Sequence, residues 1–344
     1  MTVTDEINEL ATTKAKFKTL LKNVYGDKEK FGTFQNYTNY FTDLINLFKS
    51  LFENVDDFID IILPLFITSI PDRMFQGKTK LTKITGENVT SIGNYVFDGC
   101  SALNSCLRKS KLTSIGACAL RNTSNFRSGF DFSNIILIGE GAFYNSGISS
   151  VTLDNDVTLG DNVFSLCNNL SNFYAPKQTI IPRFTFDRCY NLTNLYIPMA
   201  TTIYANAFDS VNLNINYSAP EETLYALYLP NATDIRNFAF ANATINGDIN
   251  LQVLEELNDS VFVKTAINGN INLPNIKTIN NSAFNNCSIE GTILIGENIE
   301  TISDTAFNTC EGNFEIHINK PTGSITGAPW GATNAKVVWN STGA

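Results

Sequence analysis

The stretch Val89-Thr90-Ser91-Ile92-Gly93-Asn94-Tyr95-Val96-Phe97-Asp98-Gly99-Cys100-Ser101-Ala102-Leu103 decides the fold, because its frame returns along most of the chain. Ile92 stands five residues before Phe97, and Cys100 three after it. The same frame closes the series in Ile302-Ser303-Asp304-Thr305-Ala306-Phe307-Asn308-Thr309-Cys310. Between them the aromatic anchor recurs at Phe143, Phe164, Phe186, Phe208, Phe240, Phe262 and Phe284, with Phe75 before and Leu120 in the one aliphatic slot. Each anchor is preceded at the same distance by an aliphatic residue: Ile70, Ile92, Ile115, Ile138, Leu159, Ile181, Ile203, Ile235, Leu257, Ile279 and Ile302. Successive anchors lie 21 to 23 residues apart, except for the step of 32 from Phe208 to Phe240. A period of this size marks a repeat protein, in which one unit cannot bury its own apolar face and neighbours must stack.

A second apolar segment follows each anchor, as in Leu192-Thr193-Asn194-Leu195-Tyr196-Ile197-Pro198 and Ile267-Asn268-Gly269-Asn270-Ile271-Asn272-Leu273-Pro274. Its end alternates in period two, which predicts a short strand with one buried face. Proline ends it where no further ladder donor is needed. Composition agrees with a single aromatic element used many times: there are 25 Phe against 3 Met.

Five of the 7 cysteines (Cys100, Cys167, Cys189, Cys287 and Cys310) share the slot three residues after the anchor. A metal or redox role would need paired ligands, yet no CxxC occurs and His317 is the single histidine. A column of small buried thiols explains the spacing better. Cys106 and Cys118 lie off that column and receive no separate role.

These units resemble the BspA-like (Treponema-type) leucine-rich repeats over about residues 65 to 318. The tail, Gly327-Ala328-Pro329-Trp330-Gly331-Ala332 and then Val337-Val338-Trp339, resembles the closing strand and cap of such arrays. The resemblance implies an α/β repeat fold, a solenoid with a parallel sheet on one face, at residues 63–318, with a C-terminal cap at 319–344. It also implies a binding or scaffold role, as in surface adhesins, protist proteins and bacteriophage virions, with no catalytic activity and no cofactor. Two departures are Leu120 in an anchor slot and the long step around Asp209 to Glu222, read as a protrusion or as an added strand through Val211, Leu213, Ile215 and Tyr217.

Residues 1–62 do not fit the repeat and are expected to form a small helical segment. Ile7, Leu10, Phe17, Leu21 and Val24 suggest a first amphipathic helix, with Asp5 and Glu6 in its opening turn. Phe41, Leu44, Phe48, Leu51, Val55, Phe58 and Ile62 keep helical spacing, and Ile45, Phe52 and Ile59 add a second stripe. Two stripes exceed what a lone surface helix presents, so this segment is expected either to cap the first repeat or to drive self-association or docking into a particle. Membrane insertion is disfavoured by the lack of a basic flank. Thr12-Thr13-Lys14-Ala15-Lys16-Phe17-Lys18-Thr19-Leu20-Leu21, followed by Phe31-Gly32-Thr33-Phe34-Gln35-Asn36-Tyr37, is similar to a short module placed before adhesive repeats in virion proteins of gut bacteriophages.

Aligning the strands on their terminal prolines places Tyr174, Tyr196 and Tyr228 in one outward column, continued by Asn250 and Asn272. Parallel strands lie about 4.8 Å apart, so these side chains can stack. The column reads either as a binding platform for sugar or protein, or as a device that stabilises adjacent strands. A net charge of -9 argues against a nucleic-acid partner. No basic and apolar signal region opens the chain, and the apolar stretch from Phe58 to Ile70 is too short to span a bilayer. No phosphate loop, GxSxG or HExxH occurs, and His317 sits within the alternating Phe314-Glu315-Ile316-His317-Ile318. The expectation is therefore a non-enzymatic, oligomeric virion protein. Its partners would be other virion subunits or a host-surface protein or glycan. A cell-surface adhesin or an intracellular scaffold is the alternative.

Overall fold

The computed structural model describes residues 59–63, 65, 67–107, 111–127, 130–214 and 225–340. The helical expectations at residues 1–58 lie outside these, but the end of the segment expected as helix to residue 62 is a strand instead, since Asp60–Ile62 pairs in parallel with Lys83–Thr85 as the first rung of the sheet. Within the described residues the chain winds as a stack of coils, every paired strand running parallel to its neighbour. The aliphatic residue before each anchor ends a two-residue strand. Ser69–Ile70, Ser91–Ile92, Ser114–Ile115, Leu137–Ile138 and Thr158–Leu159 form one sheet, with Ile70, Ile92, Ile115 and Ile138 partnered in succession. The same position continues through Ile180–Ile181 to Asp234–Ile235, and again through Glu256–Leu257 to Thr301–Ile302. Glycine follows several of these strands for want of space. A Cβ on Gly116 would lie 2.5 Å from the carbonyl carbon of Gly93 in the coil below.

The anchors form the core. Each Phe anchor is buried, and the rings stack along the coil axis: Phe164–Phe186 at 5.7 Å and 10°, Phe186–Phe208 at 5.1 Å and 18°, Phe284–Phe307 at 5.0 Å and 2°. The long step does not disturb the stack, since Phe208 and Phe240 lie 5.1 Å apart at 2°. Its extra residues fall in the chain between Asn214 and Tyr225. Where Leu120 leaves the column without a ring, Phe126, Phe130 and Phe132 gather on Phe143 at 6.4, 5.8 and 5.8 Å.

The resemblance implied an α/β repeat, and the parallel sheet is present, but no helix occurs among the described residues. The reason is visible in the backbone. Positions two before and two after an anchor adopt left-handed φ: Tyr95 (58°) and Gly99 (76°) about Phe97, Phe184 (55°) and Arg188 (56°) about Phe186, Phe238 (63°) and Asn242 (54°) about Phe240. A right-handed helix cannot pass through two such residues four positions apart. The tight turns they create satisfy their backbone groups between coils instead. Tyr95 N donates to Ala117 O (2.9 Å), Phe97 N to Ala119 O (2.8 Å) and Gly99 N to Arg121 O (2.9 Å).

The strand after the anchor builds the sheet face. Asp60–Ile62, Lys83–Thr85 and Ser105–Cys106 form one sheet, and Ser150–Thr152, Asn172–Tyr174 and Asn194–Tyr196 another. In the C-terminal coils this face doubles. Asn212–Asn214 pairs with Thr244–Asn246, and Leu227–Tyr228 opens a further ladder through Ile249–Asn250 and Ile271–Leu273. Val211 and Leu213 therefore belong to an ordinary rung, while Ile215 and Tyr217 lie outside the described residues. Asparagine amides bond from rung to rung along the ladder that starts at Asn212–Asn214: Asn268 Nδ2 donates to Asn246 Oδ1 (2.7 Å), and Asn246 Nδ2 to Asn214 Oδ1 (2.9 Å). At the end, Phe314–Ile318 pairs with Lys336–Trp339, and buried Trp330 closes the anchor turn by accepting from Phe307 N at 3.0 Å.

Candidate functional site: the sheet-face column and the notch beside it

The predicted column exists in register, but in two separate runs. Thr152, Tyr174 and Tyr196 are successive Cα partners, with the two tyrosine rings 5.0 Å apart at 12°. Tyr228, Asn250 and Asn272 form the second run, which continues to Leu294, His317 and Val338. Tyr228 stacks on Tyr225, at 5.4 Å and 10°. Asn250 is only 4% exposed, and its Oδ1 lacks a hydrogen-bond partner, so it presents little surface to a ligand.

Face-to-face stacking changes what the tyrosines offer. Rings stacked along the coil axis turn their edges outward, and flat faces remain only where a stack ends. One face of Tyr174 is occupied by Tyr196, while the other looks toward the rung that carries the much smaller Thr152. Tyr174 is accordingly 44% exposed.

Thr152 in turn lines a notch on this face. Among the described residues the coil between Ser105–Cys106 and Ser150–Thr152 contributes no strand to this ladder, although Ser149 N donates to Arg127 O (3.1 Å), and Phe126, Phe130 and Phe132 lie beside it. The notch, of about 230 Å³, is floored by these rings with Ile148 and rimmed by Asp131, Ser133, Ser150, Thr152 and Asp154. Hydrogen bonds from the Ser133 side chain (2.7 Å) and backbone N–H (3.0 Å) to Asp131 Oδ1 hold its carboxyl below the ordinary range. An ionised carboxylate therefore faces the notch at neutral pH. The alignment of strands did not find this place. The available signal was a repeat that lacks the alternating strand ending and carries extra phenylalanines.

The cysteine column has a structural explanation. Thiols at Cys100, Cys167, Cys189, Cys287 and Cys310 donate to the carbonyls of Phe75, Phe143, Phe164, Phe262 and Phe284, at 2.7 to 3.0 Å. Thr265, in the same slot, donates its hydroxyl to Phe240 O at 2.7 Å. Burial pushes the Cys100 thiol up to about 12 and that of Cys167 up to about 11, far from a reactive thiolate. Among the described residues no three His, Cys, Asp or Glu side chains converge as metal ligands. His317 Nε2 lies 2.6 Å from Glu315 Oε2, and Lys336 Nζ donates to the other carboxylate oxygen at 2.7 Å. The assembly candidates Phe41, Leu44, Phe48, Leu51, Val55 and Phe58 lie outside the described residues. No described helix is long and apolar enough to cross a membrane.

No curated protein matches the chain. Among solved structures it is similar to a leucine-rich repeat protein of T. pallidum, with 22% identity over 48% of this chain and 80% of that one and a TM-score of 0.42. A leucine-rich repeat protein of Bacteroides ovatus shows 18% identity over 82% and 83% respectively, with a TM-score of 0.48. A leucine rich cell surface protein of Faecalibacterium prausnitzii shows 18% identity over 85% and 96%, with a TM-score of 0.41. A family model described as the BspA type leucine rich repeat region matches in 6 copies, across residues 32–134, 90–216 and 221–328. Stacks of this kind offer extended surfaces for protein interaction and adhesion. With its repeat matched over most of its length, this chain belongs to the BspA-type leucine-rich repeat family.

Proposed function

We propose that the chain is a non-enzymatic virion adhesion protein, in which the N-terminal segment attaches or oligomerises the molecule and the solenoid contacts a host surface or neighbouring subunits. The observation that carries the adhesive part is a ring-stacked scaffold whose sheet face carries exposed Tyr174 beside half-buried Tyr196. The resemblance of residues 12–37 to a module that precedes adhesive repeats in bacteriophage particles supports the virion setting. A cell-surface adhesin is the second reading. It is favoured by the family match beginning at residue 32, inside the segment assigned to attachment.

Light scattering on the intact chain tests the assembly part. An oligomer that dissociates on Phe48→Asp or Leu51→Asp supports an attachment module, and an unchanged mass in both variants defeats it. Adhesion is tested with fluorescently labelled chain on intact bacterial and epithelial cells. Saturable attachment supports the reading, and none to any cell refutes it.

A further inference from the structure

We propose that the notch between Phe126 and Asp154, together with the open face of Tyr174, is a subsite for one uncharged pyranose of a host-surface glycan. The inference deepens the adhesive reading and rests on it for its biological setting, although saccharide binding can be measured without it.

Three features meet at this place. The first is an aromatic face. Tyr174 ends its stack, and its free side looks over Thr152, the next rung in Cα register, toward the notch. A ring face carries negative potential and attracts the C–H side of a sugar. The second is a set of acceptors. Asp131 and Asp154 bring carboxylates to the rim, and Ser150 and Thr152 add hydroxyls from the outward side of one strand. Asp131 Oδ1 is engaged by Ser133, which leaves Oδ2 for a sugar hydroxyl. Carboxylates accepting hydroxyl protons make short, strong hydrogen bonds, and vicinal diols supply donors in pairs. The third is size. A notch of about 230 Å³ lies below the usual range of drug-sized pockets and suits a single ring, with the rest of the glycan running along the sheet.

Charge decides the class of sugar. Two carboxylates at the rim, with no Lys or Arg among the residues lining the notch, repel sialic, uronic and sulfated units. The ligand is therefore a neutral or N-acetylated hexose. The shallow site and its exposed rim point to millimolar affinity for a single ring, with multivalent display supplying avidity.

The intact chain is titrated with lactose, mannotriose, maltotriose and N,N′,N″-triacetylchitotriose, with 3′-sialyllactose as the anionic comparison, by saturation-transfer NMR and calorimetry. The expected result is binding of at least one neutral saccharide and none of 3′-sialyllactose. Tyr174→Ala and Asp154→Ala should each weaken that binding about tenfold or more, while Tyr190→Ala, at an exposed position outside the sheet-face column, leaves it unchanged. Circular dichroism confirms folding of each variant. The proposal is overturned if no neutral saccharide binds, if 3′-sialyllactose binds best, or if Tyr174→Ala binds as well as the parent chain. Attachment to cells that survives periodate oxidation of their vicinal diols also overturns it while leaving the adhesive reading intact. Saccharide binding without attachment to any cell does the reverse.

Discussion

Phe186→Ala strikes the centre of the ring stack, and its consequence follows from geometry. The side chain is buried, stacks on Phe164 and Phe208 at 5.7 and 5.1 Å, and receives the edge of Phe173 at 4.7 Å and 71°. Removing such a ring from a core that cannot collapse costs about 3–5 kcal/mol. Each aromatic pair adds about 0.5–1.5 kcal/mol beyond area, which places this site at the upper end. Phe186→Leu keeps most of the volume and should cost about 1–2 kcal/mol, since Leu120 occupies the same slot in another coil. Because coils touch only their neighbours, the damage should also uncouple the stack. Both tryptophans, Trp330 and Trp339, lie in the C-terminal cap, so their fluorescence reports the far end while circular dichroism reports the whole chain. In urea, the parent should show coincident transitions and Phe186→Ala an early loss of dichroism before the fluorescence change. A loss below about 2 kcal/mol, or a leucine variant as damaged as the alanine one, would refute the ring stack as the main source of cohesion.

Other perturbations address the turns, the thiols and one buried charge. Leu166 holds φ at 61° in a slot filled by Asn122, Asn145, Asn242 and Asn286 in other coils. Leu166→Asn should therefore stabilise the chain by about 1 kcal/mol in thermal or urea unfolding, and a loss would contradict the strain argument. At pH 8, Ellman's reagent should modify the half-buried Cys118 faster than any of the five column cysteines, which should react only on unfolding; equal rates would show the column to be open. Burial raises the Asp98 carboxyl, but hydrogen bonds from Arg121 (2.8 and 2.7 Å) and Gln76 (3.1 Å) outweigh this and hold it below its ordinary range. A depressed folded value means stability that is present above the unfolded carboxyl's pKa and lost as pH falls through the folded one. Asp98→Asn should thus cost about 1–2 kcal/mol at pH 7, discounted for the partly exposed guanidinium, with the gap closing in acid. A gap independent of pH would show that the charge is not the stabilising element.

The stack was legible because its determinants are local and repeated. An aliphatic residue, an anchor and, in five coils, a thiol at fixed spacing predict a coil, and the structure buries all three as columns. The turn backbone was not legible as non-helical. Its left-handed positions hold Tyr95, Phe184, Arg188 and Phe238 as well as glycine and asparagine, so residue type does not announce the φ that excludes a helix. Here the packing of ring on ring and the bonds between coils override local preference, holding bulky residues in a conformation they rarely adopt.

The sheet face was legible in register and not in presentation. Alignment on the terminal prolines set Tyr174 beside Tyr196 and Tyr228 beside Asn250, where the Cα partners also lie, but it joined Tyr196 to Tyr228, which fall in separate runs. Which surface a tyrosine offers depends on its neighbours in space. A tyrosine flanked by tyrosines shows only its edge, whereas one that follows a threonine keeps a face. The position that matters for recognition is therefore where the column starts, and that start is set by the irregular coil of Leu120. With no ring at that anchor, three phenylalanines gather on Phe143, no described strand joins the ladder there, and the notch is lined by Thr152, the Cα partner of Tyr174. A departure in the repeat thus sets an aromatic surface, acidic acceptors and a shallow notch side by side among the described residues. Restoring regularity there, by Leu120→Phe with Phe130→Ser, should preserve the fold while removing the floor of the notch, and saccharide binding should go with it.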